Sequence, residues 1–387
     1  MTEFSSAVKE RELVTLLSLS PVSEKNACRV RELLAERVSH AEVRAVAKIW
    51  RVEPAVCENL RKNFSEMLSD TDIEIFGQIE REERARSIWC AGETLTVLRA
   101  LEKKGIHALP IKGAALGRQA YGDVSRRAAG DVDLLLRRSD LPAARDVITG
   151  IGFTPLYSHA VENRAISGGH ALKFEGSVTY AELHWSLLPR HLAFDLNPGA
   201  VLKRSLTEPE TSQGFVPFPT TFLFLYLCAH GTKHRWEQLR WVVDLAQLMT
   251  SISPDTAEEI AAIASRLHLE RILALGLRVV LDVYPDLANP FPPLRESSSE
   301  ETNELARRVK LQFAGTPIDA GSIENRLSKT HPYFDTFSFW LRARERLVDK
   351  IRCVLLFAIA PAPNDTSTIR ALTRVPRMGA ELIKAFR

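Results

Sequence analysis

The chain has 387 residues, 45% of them apolar and 26% charged, which is ordinary for a globular protein with room for two or three domains. Its 51 basic and 48 acidic residues leave a net charge of +3, too small for bulk electrostatics to argue for nucleic-acid binding. Cys28, Cys57, Cys90, Cys228 and Cys353 are scattered without CxxC or zinc spacing, the N-terminal MTEFSSAVKERELV lacks a signal-peptide pattern, and no apolar run reaches about 18 residues. The expectation is a cytoplasmic protein with reduced, mostly buried thiols and no membrane span.

Residues 1–104 read as a helical N-terminal region. Ser23 and Ser39 are N-cap candidates, Pro54 opens a further helix, and Asp72 is expected to cap a long helix through Glu102. In that long helix Ile75, Ile79, Ile88, Leu95 and Leu98 recur on one side, and Gly105 ends it. The periodicity then changes over 105–200. Ala108–Ile111 reads as a short strand, Gly113–Tyr121 as a short helix and Val132–Leu136 as a buried strand. Ser139 or Asp140 would cap a helix to about Thr149, and strands Ala171–Glu175 and Val178–His184 flank a turn at Gly176-Ser177. From 201 to 387 the chain is helical again: one run from Thr220, then helices at 254–267, 268–285, 300–313 and 331–360. Loops are expected at 290–300, around 314–328 and at the Pro-rich 361–363. The class is therefore α+β, a small mixed-sheet domain flanked by helical regions.

The chemistry concentrates between Leu109 and Arg137. On a strand, residues i and i+2 face the same way, so Asp131 and Asp133 project together about 6–7 Å apart. Such a pair of hard oxygen donors repels unless a cation lies between them, and it suits Mg²⁺, with Mn²⁺ the alternative. Lys112-Gly113 before a helix offers free N–H groups and a close approach for phosphate oxygens. Lys112, Arg126 and Arg127 are candidates to neutralise phosphate charge. Glu182 is the chosen third carboxylate, with His184 on the same face; Glu175 and Asp123 are its rivals. His230, Lys233 and His234 cluster on one helix and are expected at the same cleft, with Asp244 a buried partner for one of these cations. His230 and His234 also have the i, i+4 spacing of a zinc pair, although Gly231 stands where a zinc protease has glutamate.

These motifs carry a resemblance. Ile111-Lys112-Gly113-Ala114-Ala115-Leu116, Arg126-Arg127 and Asp131-Val132-Asp133 resemble the nucleotidyltransferase superfamily of DNA polymerase beta-type fold. With Glu182-Leu183-His184-Trp185, the segment His230-Gly231-Thr232-Lys233-His234-Arg235-Trp236 and Asp244, they resemble more narrowly the bacterial family described as uncharacterised nucleotidyltransferases. The resemblance covers roughly 90–250 and departs at Gly113-Ala114, where the superfamily usually has Gly-Ser. It implies transfer of a nucleoside monophosphate from an NTP, ATP first among them, to an acceptor hydroxyl or amine with release of pyrophosphate. The metal residues would be Asp131, Asp133 and Glu182; the nucleotide would meet Lys112, Gly113, Arg126, Arg127, His230, Lys233 and His234. The acceptor is a small molecule, a peptide, a protein or tRNA. The second reading is a catalytically silent nucleotide- or partner-binding module on the same scaffold.

Overall fold

The computed structural model describes residues 3–36, 38–157, 169–207, 214–314 and 332–359. Five helices precede the first strand. Helix α1 spans Glu3–Leu17. Helices α2 (Glu24–Ala35) and α3 (His40–Ile49) begin where expected, because the Ser23 and Ser39 hydroxyls accept from the N–H groups of Asn26 and Glu42. Helix α4 (Glu53–Asn63) has Pro54 in its first turn, where no helical bond needs its N–H. Helix α5 (Asp70–Glu102) starts earlier than expected. Its cap is Ser69, whose hydroxyl accepts from the Asp72 N–H and donates to Asp72 Oδ2. The buried stripe of α5 runs through Phe76, Ser87, Cys90, Thr94, Val97 and Leu101. Ile88, expected on that side, is 56% exposed. Small residues on the stripe let the following loop come close: Ser87 Oγ donates to Arg127 O and accepts from the Ala129 N–H.

The middle of the chain supplies β1 (Ala108–Pro110), α6 (Gly113–Tyr121), β2 (Asp131–Leu136), α7 (Leu141–Gly150), β3 (Thr154–Pro155), β4 (Ala171–Glu175) and β5 (Tyr180–His184). Neither Ser139 nor Asp140 caps α7 by its side chain; a 3-10 turn at Arg138–Asp140 leads into it. The β4–β5 connection is four residues long rather than two, closed by the Gly176 N–H on Thr179 O at 2.8 Å. The strand order is β1-β2-β5-β4-β3, with β2 and β5 parallel and every other pair antiparallel. This is the mixed sheet of an α+β fold. Alternation divides its faces. Val132, Leu134, Leu136, Ala181, Leu183, Leu172 and Phe174 pack against α5 and α7. The other face carries the polar residues.

Helices α8 (Pro198–Ser205), α9 (Thr220–Lys233), α10 (Leu239–Met249), α11 (Pro254–Arg266), α12 (Glu270–Val283), α13 (Glu300–Ala314), α14 (Pro332–Arg342) and α15 (Leu347–Ile359) complete the described chain. The run expected from Thr220 breaks between α9 and α10. Arg235 and Trp236 take left-handed backbone angles (φ 53° and 57°), and the Trp236 indole folds back onto Gly231, where a Cβ would meet the ring at 2.6 Å. The expected helix 331–360 is likewise two helices, with the buried Arg344 at the corner paired to Asp349 at 3.4 Å. The 290–300 loop contains a 3-10 turn whose buried Glu296 is held by Arg271 at 2.8 Å. Residues 315–328 and 361–363, expected as loops, lie outside the described residues.

Helix α9 is buried nearly all round. One apolar core joins it to α1–α4, to Leu109, Ile111 and Leu135 of the sheet region, and to α10–α14. The C-terminal end of α9 thereby comes to the polar face of the sheet. All five cysteines are free, and all but Cys28 are buried. Among the described residues no helix is long and apolar enough to cross a membrane.

Candidate active site

The parallel pairing of β2 and β5 sets Asp131 opposite Tyr180, Asp133 opposite Glu182 and Leu135 opposite His184. Directly paired residues share a face, so Asp133 and Glu182 stand side by side, with Asp131 two residues back along the strand. The antiparallel β4 adds Lys173 opposite Glu182. His184 Nε2 lies 3.2 Å from Asp133 Oδ1 and 3.3 Å from Glu182 Oε2. Lys112 Nζ, just ahead of α6, lies 3.3 Å from Asp133 Oδ2, and Lys173 Nζ lies 2.5 Å from Glu182 Oε1.

These contacts set the charges. Burial alone would raise the Asp133 carboxyl, but Lys112 and His184 outweigh it and hold the group well below the usual range. Burial is likewise overcome at Glu182, where His184 and Lys173 bring the carboxyl down to about 2. His184 would be lowered by burial; its bonds to Asp133 and Glu182 instead raise it above an ordinary imidazole. Lys112 is raised for the same reason, against burial, by Asp133, Tyr226 and Glu182. Asp131 is exposed at the strand end, and burial of its carboxyl together with Asp133 and Glu182 pushes it up.

The three residues expected on the last turn of α9 reach this neighbourhood. Lys233 is brought down to about 8 by burial and by Lys112. His234 falls to about 3 through burial and Lys233, and burial takes His230 far below its ordinary value. Both imidazoles are neutral near pH 7 and pack on Trp241: His234 stacks at 4.9 Å and His230 meets it edge-on at 5.6 Å. A depressed lysine opposes folding while it is protonated. Between pH 8 and 10.5 the unfolded chain keeps a proton that native Lys233 gives up, so stability climbs across that window. Lys233→Met is expected to raise Tm by a few degrees at pH 7 and to flatten that climb, measured by thermal unfolding across the pH series.

Gly113 begins α6 at φ 59°, and a Cβ there would stand 2.9 Å from Asp131 O. The glycine lets the phosphate turn and the carboxylate strand touch. Gly113→Ala is expected to destabilise by about 1–3 kcal/mol in urea unfolding, through the left-handed backbone and that clash.

The two arginines part company. Arg126 pairs at 3.1 Å with Glu58 of α4, a carboxylate that Lys62 also holds at 2.6 Å. Arg127, a candidate phosphate ligand, is instead buried and engages both oxygens of Asp244 at 2.8 and 2.9 Å, with Nη1 on Gly113 O at 3.4 Å. Tyr121 donates to the same carboxylate at 2.8 Å. Asp244, expected to partner a cation of the His230–Arg235 cluster, belongs to Arg127. Of the rival acids, Glu175 accepts from Tyr180, and Asp123 caps the short turn Val124–Arg126.

One ligand atom each of Asp133, Glu182 and His184 fall within 4.8 Å of one another, the only such metal-ligand cluster among the described residues. It contains neither His230 nor His234; their rings lie 4.8 Å apart, but among the described residues they form no group of three ligands. Two carboxylates with Asp131 adjacent suit a hard divalent cation, and the imidazole extends the fit to Mn²⁺. Strand alternation put His184 on the same face as Glu182; its hold on both acids needed the β2–β5 register. Lys173 needed the β4–β5 register, and the Tyr226 hydroxyl, near enough to Lys112 to act on its charge, needed the packing of α9.

A mixed sheet with adjacent acids on parallel strands, beside a glycine turn at a helix start, is consistent with an α+β nucleotidyltransferase fold. The family model described as "Uncharacterised nucleotidyltransferase" matches residues 37–285, and the chain belongs to that family. No curated protein and no solved structure gives a significant match. The family and the acidic cluster together support a general nucleotidyltransferase activity.

Proposed function

We propose that the protein is a Mg²⁺-dependent nucleotidyltransferase that moves a nucleoside monophosphate from an NTP, ATP first among them, to an acceptor hydroxyl or amine. The observation that carries this reading is the parallel register placing Asp133 beside Glu182, with Asp131 on the same face and Lys112 against Asp133. Asp131, Asp133 and Glu182, with His184 beside them, would hold Mg²⁺ or Mn²⁺. The bound ion supplies charge neutralisation at the phosphate oxygens and a template for in-line geometry. Glu182 would complete the metal set or accept the proton of the attacking group. The acceptor oxygen or nitrogen bonds to the α-phosphorus, the bond from that phosphorus to its bridging oxygen breaks, and pyrophosphate leaves.

His184 keeps the two acids oriented through one ring nitrogen. Lys112, the Gly113 turn, Arg126 and Lys233 bind phosphate oxygens; Arg127 acts from behind, fixing Gly113 through its own pairing to Asp244. His230 and His234 line the cleft as neutral rings. Within the proposed division 1–104, 105–200 and 201–387, residues 105–200 are the catalytic unit, and the described helices before and after it build the walls that choose base and acceptor in the cytoplasm. The acceptor classes are a small molecule, a peptide, a protein or tRNA, the last weakened by the net charge of +3.

The silent-module reading draws on one observation: Lys112, Lys173 and His184 already neutralise the acids. The test is to incubate the chain with α-labelled NTPs, Mg²⁺ and fractions of cell extract, and to follow label incorporation and pyrophosphate. Label entering one fraction with stoichiometric pyrophosphate is expected. NTP binding with neither product in any fraction would sink the enzymatic reading.

A further inference from the structure

The N-terminal helices read from sequence as a cap without chemistry, yet one of their residues sits where its type is unexpected. Helix α3 ends in a Schellman turn, with the Arg51 N–H on Lys48 O at 3.1 Å and the Val52 N–H on Ala47 O at 2.9 Å. The residue at the left-handed position of that turn is normally glycine. Here it is Arg51, at φ 56°. A non-glycine in this conformation costs about 1 kcal/mol, and such strain persists where the surroundings use it.

Arg51 lines a small, partly open surface pocket together with Arg126, Arg127 and Arg240. Four arginines line it, and their neutralisation is uneven. Arg127 is satisfied by Asp244. Arg126 shares Glu58 with Lys62, two cations on one carboxylate. Among the described residues the Arg240 side chain reaches only Ala128 O and the Gln238 side-chain oxygen, both at 3.4 Å, and its buried Nε has no partner there. Burial and Arg127 lower Arg240 to about 10 despite Asp244, the mark of a cation short of counter-charge. Arg51 has no carboxylate partner among the described residues. The pocket lies near the acid cluster: Ala128 on its wall precedes Asp131 by three residues, Arg127 at its edge reaches Gly113 O, and Arg51 acts electrostatically on the Asp131 carboxyl. The Arg240 N–H, on Trp50 O at 3.2 Å, ties α10 to the turn that presents Arg51.

We propose that Arg51 and Arg240, with Arg126, form the seat for the polyphosphate tail of the nucleotide, so that both helical regions complete the phosphate site. This rests on the nucleotidyltransferase reading for the identity of the ligand. The surplus of guanidinium groups fits an anion of several charges, because planar forks engage two phosphate oxygens at once and a single orthophosphate would leave arginines unmatched.

Calorimetry on the full chain, without metal, tests the seat with inorganic tripolyphosphate and orthophosphate as probes. Wild type is expected to bind tripolyphosphate at least about tenfold more tightly than orthophosphate. Arg51→Asn tolerates the left-handed turn and lies on the surface, so it should fold with an unchanged melting temperature. It is expected to weaken tripolyphosphate about tenfold. Arg240→Gln should do the same, and each should raise KM for NTP with kcat unchanged. Equal tripolyphosphate affinity in wild type and Arg51→Asn overturns the seat, as does an equal loss for orthophosphate. Label transfer with unaltered KM in both variants also overturns the seat while nucleotidyl transfer stands. Arginine-dependent tripolyphosphate binding without any transfer upholds the seat and removes the reaction.

Discussion

Asp133→Asn is expected to lower nucleotidyl transfer by about 10³-fold or more, because the carboxylate at the centre of the site is the one the others are arranged around. It should also destabilise the chain, by about 3 kcal/mol, since Lys112 and His184 lose their shared counter-charge. Asp131→Asn is the informative companion. Burial and repulsion from Asp133 and Glu182 hold the Asp131 carboxyl above its ordinary value, so neutralising it relieves that repulsion. The expected pair of results is loss of both activity and stability in Asp133→Asn, against loss of activity at equal or higher stability in Asp131→Asn. Label transfer and thermal unfolding on the same preparations read this out. Retained transfer in Asp133→Asn would remove it from the catalytic set. The acid side follows the same linkage: Asp133 is depressed in the folded state, so its stabilisation is present above the unfolded value near 4 and is lost as pH falls below it.

Asp244→Ala is expected to be the most destabilising single substitution near the site, by about 3–5 kcal/mol. It leaves the Arg127 guanidinium buried without a counter-charge and strips Tyr121 of its acceptor. Arg127 contacts Gly113 O, so the turn proposed to bind phosphate should loosen as well, seen as a higher KM for NTP. Urea unfolding should show a lower midpoint at unchanged slope. The double substitution Arg127→Met/Asp244→Leu should recover most of the stability, because a packed apolar pair replaces an ion pair with little net loss. Failure of the double substitution to recover would show that the pair acts through geometry that apolar side chains cannot reproduce.

Much of the site was legible along the chain because its parts are local. Lys112-Gly113 before a helix, the alternation of Asp131 and Asp133, and Glu182 two residues before His184 each follow from a period of two or a helix start. The capping serines 23 and 39 and the strand-rich middle were readable on the same grounds. Ser69 was missed in favour of Asp72, because several polar residues in a row offer competing caps and only the path of the chain selects one. The break at Arg235-Trp236 was missed because nothing in that run is proline. The indole needs the space above Gly231, and the chain leaves the helix to place it there.

By itself, then, the amino-acid sequence determined the chemistry available: paired carboxylates on a strand, a lysine and glycine ahead of a helix, and a cationic turn at His230–Arg235. Tertiary structure decided which of these meet. The β2–β5 register puts Glu182 rather than Glu175 beside Asp133 and lets His184 touch both acids. Packing of α10 gives Asp244 to Arg127, neutralising that arginine, and brings Arg51 and Arg240, far apart in the chain, to the same pocket. The physical reason is the same in each case. Hydrogen bonding along the backbone sets where a side chain points, whereas its partner depends on pairing registers and helix packing between segments that share no local pattern.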